Sequence, residues 1–189
     1  MSDCLISPPG ARIIGNFVSE QEANRLLAET DASDWRVDLK RRVQHYGWRY
    51  DYRERRVTAD MRLGPLPDWL GPVAEAVGGL AEFDRRPDQV IVNEYLPGQG
   101  ISAHVDCEPC FGPAIASLSL GGRAEMVFRH RKSGERRALI LEPLMLLILA
   151  REARYDWTHE IPPRQSDVVN GAREHRARRV SLTFRTVTL

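Results

Sequence analysis

The stretch Asn93-Glu94-Tyr95-Leu96-Pro97-Gly98-Gln99-Gly100-Ile101-Ser102-Ala103-His104-Val105-Asp106 decides how this chain is read. It leaves an apolar segment through a Pro-Gly turn and closes on His-x-Asp. On a β-strand, residues two apart share a face. His104 and Asp106 are therefore expected in one pocket, a ring nitrogen beside a carboxylate oxygen. One imidazole and one carboxylate are two members of the facial triad that holds non-haem Fe(II).

Around this stretch the pattern is that of a β-rich core. Val90 and Val92 lead into it in an extended pattern that continues to Tyr95, and short apolar or alternating runs follow at 114–120, 124–130, 138–141, 144–150 and 179–189. Gly121-Gly122, Ser133-Gly134 and Glu142-Pro143 punctuate them. Upstream, Ser19-Glu20-Gln21-Glu22 has the form of a capping box, with Ala23, Leu26 and Leu27 at helical spacing, so a helix is expected over Ser19 to about Thr30. Leu70, Val73, Ala76 and Val77 predict a second helix from Asp68 to Leu80, ended by Gly78-Gly79. Two early helices before many short strands indicate an α+β chain built on a double-sheet jelly roll. One domain is expected over residues 1–189, with helices and a lid region in 1–88 and the jelly-roll core in 89–189.

Composition agrees with a single core: 189 residues, 42% of them hydrophobic. No apolar run approaches the ~20 residues of a membrane span, and Met1 to Ile14 lacks the basic start and apolar centre of a signal peptide. The expectation is a cytoplasmic monomer with no membrane association. Net charge is only +1, but Arg36–Arg56, Arg129–Arg137 and Arg173–Arg185 are locally basic. Such runs are solvated edges or, where Tyr and Trp are interleaved, nucleic-acid contacts, since Arg pairs phosphate and aromatic rings stack on bases. Cys4, Cys107 and Cys110 are too few for a disulfide framework. Cys107-Glu108-Pro109-Cys110 reads as reduced loop thiols beside the site rather than half a zinc site, because no second Cys/His pair stands at zinc-finger spacing.

The third ligand candidate is His159, in Tyr155-Asp156-Trp157-Thr158-His159-Glu160-Ile161. A jelly roll brings distant strands together, so its separation from Asp106 is no obstacle. Two His and one Asp leave positions on Fe(II) open for a 2-oxoacid and O2. A dicarboxylate co-substrate then needs cations. Arg179, Ser181, Thr183 and Arg185 fall on one strand face, and guanidinium binds carboxylate bidentately.

These words together resemble the AlkB family of Fe(II)- and 2-oxoglutarate-dependent dioxygenases. The matching residues are Asn93-x-Tyr95-x-Pro97-Gly98-x-Gly100-Ile101-x-x-His104-x-Asp106, Ser117-Leu118-Ser119-Leu120-Gly121, Tyr155-x-Trp157-x-His159-x-Ile161 and Arg179-x-Ser181-Leu182-Thr183-Phe184-Arg185. Arg41-Arg42-Val43-Gln44-His45-Tyr46-Gly47 and Arg86-Pro87-Asp88-Gln89 resemble the branch that contains the tRNA wobble-uridine hydroxylase. The resemblance implies Fe(II), 2-oxoglutarate and O2, with metal ligands His104, Asp106 and His159. It implies that Asn93, Tyr95 and Arg179 hold the distal carboxylate of 2-oxoglutarate and that Arg185 pairs with the carboxylate beside the keto group. Ser181 stands where many relatives have Asn, and its shorter side chain reaches less far. Glu108 sits where the bacterial repair enzyme places an acid against the exocyclic amine of the base.

The activity implied is oxidative demethylation of N-alkylated bases in DNA or RNA, with formaldehyde, succinate and CO2 as products. The base must be flipped out or single-stranded, and single-stranded or flexible nucleic acid is the expected partner. Tyr46, Trp48, Tyr50 and Tyr52 alternate with polar residues, as in a base-stacking lid with Arg41, Arg42 and Arg49 near phosphate, or in a strand whose aromatics face the core. Two other functions are open: hydroxylation of a modified tRNA wobble uridine, and a non-catalytic jelly-roll binding protein that retains metal.

Overall fold

The computed structural model describes residues 7–37 and 40–189, so Cys4 lies outside the described residues. Strand β1 (Ala11–Ile14), helix α1 (Glu20–Ala32), strand β2 (Val43–Tyr46) and helix α2 (Gly71–Gly78) come first. The core follows as β3 (Gln89–Tyr95), β4 (Ile101–His104), β5 (Phe111–Gly121), β6 (Ala124–His130), β7 (Arg136–Leu141) and β8 (Leu146–Ala150). A short helix α3 (Arg151–Tyr155) leads to β9 (Trp157–Ile161), β10 (Ser166–Val169), β11 (Ala172–His175) and β12 (Arg179–Val187).

Six strands form a major sheet in the order β1-β8-β5-β12-β3-β2, and four form a minor sheet in the order β4-β9-β6-β7. The pairings are antiparallel. The two sheets make the double-stranded β-helix, with α1 and α2 covering the outer face of the major sheet. Strict alternation produces both interfaces. Val180, Leu182 and Phe184 of β12 join Val90 and Val92 of β3 and Leu118 and Leu120 of β5 beneath the helices. Leu147 and Leu149 of β8 meet Phe128, Leu141, Trp157 and Ile161 between the sheets. Each fully buried side chain of this size contributes about 1.5–3 kcal/mol.

Helix α1 starts as expected: the Ser19 hydroxyl accepts from the Glu22 amide at 3.1 Å. The second expected helix is shorter than its apolar spacing suggests. Residues Asp68–Leu70 form a 3-10 turn, and α2 begins at Gly71 with Pro72 in its first turn. Strands β1 and β2 add to the major sheet within a region expected to hold only helices and lid. Hairpin β10–β11 is a further addition. Asn170 and Gly171 both have positive φ there, the conformation of a two-residue turn between twisted strands.

Two glycines are demanded by close approach. At Gly47 φ is +77°, and a Cβ would lie 1.8 Å from the Asp88 carbonyl oxygen; here the chain turns from β2 into the lid. At Gly100 a Cβ would lie 2.1 Å from the Ile161 oxygen, so only glycine lets β4 begin against β9.

Candidate active site

The inward face of β12 carries Arg179, Ser181, Thr183 and Arg185, which line a cavity of about 470 Å³ between the sheets. Strand register sets what faces them. Arg179 lies opposite Tyr95 and Ser181 opposite Asn93, so all four share one wall. From the minor sheet, His104 of β4 and His159 of β9 are direct cross-strand partners, with ring centroids 4.3 Å apart. Strand β4 ends at His104, and Asp106 reaches the same cavity from the connection that follows.

Asp106 Oδ2 is 3.9 Å from His159 Nε2, and Oδ1 accepts from Arg185 Nη2 at 2.8 Å. Burial raises the Asp106 pKa, but Arg185, the two histidines and Arg154 outweigh it and hold the carboxyl below the ordinary range. Burial, followed by the charge of His104, pushes His159 down to about 3. At neutral pH the pair is therefore a carboxylate and a neutral imidazole, the states that ligate metal. His104 Nδ1 lies 2.8 Å from the Ser102 carbonyl oxygen. Only a protonated Nδ1 can donate there, which leaves the lone pair on Nε2.

Among the described residues no three His, Cys, Asp or Glu side chains are drawn into a closed metal-ligand cage. The donor chemistry nevertheless suits Fe(II): two imidazoles on adjoining strands and one ionised carboxylate from the connection after β4. Nearby, Nε and Nη1 of Arg179 and Nε of Arg185 are buried without a hydrogen-bond partner. Buried donors are ordinarily paired, so these atoms call for acceptor oxygens in the cavity. Burial lowers the Arg179 pKa to about 10, which still leaves a cation at neutral pH.

The base-side candidates divide. Tyr50 lines the cavity, and its ring meets that of Tyr52 edge-on at 5.1 Å. Tyr52, Arg41 and Arg55 line it as well. Arg42 does not: its guanidinium pairs with Glu94 and covers the Trp35 ring at 4.6 Å. Neighbouring residues on an extended segment face opposite ways, so Arg41 turns in and Arg42 turns out. Tyr46 packs edge-on against Trp69 at 5.4 Å on the helix side of the sheet. Trp48 packs against the cluster of Val57, Met61 and Phe111. Glu108 is exposed and bound to Arg131 at 3.0 Å, outside the cavity lining.

Two features were not anticipated. Buried Arg154 of α3 donates from Nη1 to the Asp106 carbonyl at 2.9 Å and from Nη2 to the Cys107 carbonyl at 3.1 Å. It stands five positions before His159 (159 − 154) and ties the two ligand-bearing segments together. No spacing rule marks such a residue, because its targets are backbone atoms. The second feature corrects the expectation of reduced thiols. Cys107 and Cys110 form a disulfide, because the intervening turn brings their Cα atoms to 5.3 Å. The sulfurs are buried 3.1 and 3.5 Å from the Arg55 carbonyl oxygen.

The sequence profile of the 2OG-Fe(II) oxygenase superfamily matches residues 10–185. The chain belongs to that superfamily, in its AlkB group. This oxygenase is 38% identical to the "Alkylated DNA repair protein ALKBH8 homolog" of Arabidopsis thaliana, over 98% of this chain and 60% of that one. It is 35% identical to the "tRNA (carboxymethyluridine(34)-5-O)-methyltransferase ALKBH8" of Macaca fascicularis, over 90% of this chain and 27% of that one. The chain thus spans well under two thirds of the macaque relative and just under two thirds of the plant one. The solved structure of OsALKBH1 shares the fold, with a TM-score of 0.68 at 16% identity, covering 95% of this chain and 99% of that one. As a member of the superfamily, the oxygenase uses Fe(II), 2-oxoglutarate and O2. No helix among the described residues is long and apolar enough to cross a membrane.

Proposed function

We propose that the oxygenase hydroxylates a modified uridine of the tRNA wobble type, held under the Tyr50–Tyr52 lid. In this reading His104, Asp106 and His159 hold Fe(II). Asn93, Tyr95 and Arg179 take the distal carboxylate of 2-oxoglutarate, and Arg185 takes the carboxylate beside the keto group. Bound Fe(II), with 2-oxoglutarate and O2, supplies oxidation of a C–H bond, with succinate and CO2 as coproducts. The chain's own residues do the rest. Buried Thr183 and Ser181 floor the cavity beside the clamps and keep it narrow. Arg185 holds Asp106 ionised and fixed. The tyrosines exclude water and present ring faces to a base.

The charge of the cavity lining carries the choice of base. Arg41, Arg55, Arg179 and Arg185 line it, and among the described residues Asp106 is the only acid there, already paired with Arg185. A 1-methyladenine or 3-methylcytosine is cationic and would enter a cationic pocket. A uridine is neutral and presents carbonyl oxygens to guanidinium donors. Glu108, the acid that would meet an exocyclic amine, is bound to Arg131 instead. The higher identity to relatives bearing the ALKBH8 name, against 27% to the "Probable RNA/DNA demethylase ALKBH6" of Danio rerio, points the same way.

Oxidative demethylation of N-alkylated bases is the second reading. It is favoured by the repair name of the plant relative and by 25% identity to the "DNA N6-methyl adenine demethylase" of Caenorhabditis elegans, whose substrate base is neutral. A turnover screen across modified oligonucleotides, read by mass, separates the two. The first predicts a gain of one oxygen on anticodon stem-loops and no formaldehyde. Formaldehyde release from methylated DNA or RNA, with uridines untouched, would establish the second. Turnover by His104→Ala equal to that of the unmodified protein would remove the metal assignment from both.

A further inference from the structure

We infer that Arg41 is a positioning residue for the co-substrate, fixing the Asn93 amide and making the distal end of the cavity selective for a dicarboxylate. This rests on the co-substrate reading above. Arg41 is buried at the entry to β2, and its Nε donates to Asn93 Oδ1 at 2.9 Å. Arginine can only donate, so the amide oxygen must face it, and the NH2 becomes the end of Asn93 free to donate elsewhere. A carboxylate in the cavity would be attracted by that NH2 and repelled by the oxygen. Without Arg41 the amide is free to turn the wrong way.

Charge adds a second argument. The Arg41 and Arg179 guanidinium carbons lie 5.8 and 5.4 Å from the centroid of the same Tyr95 ring. The polar partner of Arg41 is Asn93, and that of Arg179 is the Ser119 hydroxyl at 2.8 Å. Arg185, by contrast, is balanced by Asp106. Among the described residues the cavity therefore has an end where cation and carboxylate are matched and an end, around Tyr95, where two guanidinium groups are not. A second carboxylate, well separated from the keto acid end of the ligand, complements this asymmetry. The segment that carries Arg41 is held in place on both sides: the Lys40 carbonyl accepts from Gln99 Nε2 at 2.9 Å, and the Arg42 carbonyl accepts from the Glu94 amide at 3.1 Å.

Calorimetry on the Mn(II)-loaded protein tests this, with 2-oxoglutarate and with 2-oxobutyrate, which lacks the distal carboxylate. Arg41→Met is expected to weaken 2-oxoglutarate about 10–100-fold, the weight of a lost charge-assisted contact, and to leave 2-oxobutyrate within about twofold. Arg41→Lys keeps the charge but loses the planar Nε donor, and should give an intermediate loss of selectivity. Equal weakening of both keto acids would overturn the inference. So would unchanged 2-oxoglutarate binding accompanied by weaker nucleic-acid binding, which would assign Arg41 to the base. If Arg41→Met does not fold, Arg41→Lys decides alone: unchanged selectivity refutes the role. Failure of the unmodified protein to prefer 2-oxoglutarate would sink the co-substrate reading itself, a result distinct from a preference that survives in both variants.

Discussion

The floor and the roof of the cavity are built by different means. The floor is two paired strands, β3 and β12, whose ladder fixes Tyr95 against Arg179 and Asn93 against Ser181. The roof consists of residues 48–61 and 105–110, which carry little regular pairing. It is held by isolated bridges, side-chain bonds to carbonyls and a disulfide. A ladder resists rearrangement because many bonds must break together, whereas a roof of single ties can open locally. In the proposed reading the co-substrate thus meets a rigid wall, and the base meets a surface held by single ties.

Arg154 ties the roof at Asp106 and Cys107 to α3, just ahead of His159, so its loss should have the largest effect. Arg154→Met strips two buried carbonyls of their donors, costing about 1–3 kcal/mol of stability for each group left unpaired. It also releases the backbone at Asp106, and residues that orient metal ligands change metal affinity about 10–100-fold when lost. Mn(II) titration beside thermal unfolding reads both. The expected drop in stability with metal affinity intact would show that Arg154 braces the roof without positioning Asp106.

Next comes Tyr52, which should separate roof from floor. Its half-buried phenol, raised to about 12 by desolvation, stays neutral and stacks edge-on with Tyr50. Base–aromatic stacking is worth about 1–3 kcal/mol. Tyr52→Ala should therefore raise KM for the nucleic acid about 5–100-fold while leaving that for 2-oxoglutarate unchanged. An equal rise in both would mean that floor and roof are not independent.

The same contrast explains what could be read from the residues alone. Alternation along 179–185 and 89–95 names the inward set without knowledge of the partner strand, because a period of two admits only two faces. Around Tyr46, Trp48 and Tyr50 the period breaks at Gly47, where φ is positive. Residues before and after that turn no longer share a face, and the aromatic series splits between helix side, roof cluster and cavity. Arg154 was illegible for another reason: it binds carbonyls, which every residue possesses. Cys107-x-x-Cys110 was visible as a motif, but its pairing depends on a turn whose geometry the motif does not state.

That disulfide gives a smaller effect. It closes a short loop, so the chain-entropy model allows about 2 kcal/mol of stabilisation. It also packs in one cluster with Val57, Met61 and Phe111 of the roof and adjoining β5. Reduction, or Cys107→Ser with Cys110→Ser, should lower the unfolding free energy by up to that amount. Amide exchange should quicken in 48–61 while β3 and β12 remain protected. Faster exchange in β12 as well would show that the roof's tie reaches the floor.

The smallest effect is expected at Glu108. Its side chain and that of Arg131 are each about half exposed, and such pairs contribute about 0–1 kcal/mol. Arg131 keeps a second partner, the Tyr155 carbonyl at 2.8 Å, so the β6–β7 hairpin stays anchored without the acid. Glu108→Ala should leave both stability and nucleic-acid KM nearly unchanged. A tenfold rise in that KM would mean that the roof swings on binding, exchanges Arg131 for the base and brings Glu108 into the cavity. The roof would then be a recognition element that forms only with its substrate, and the neutral-uridine reading would lose one of its supports.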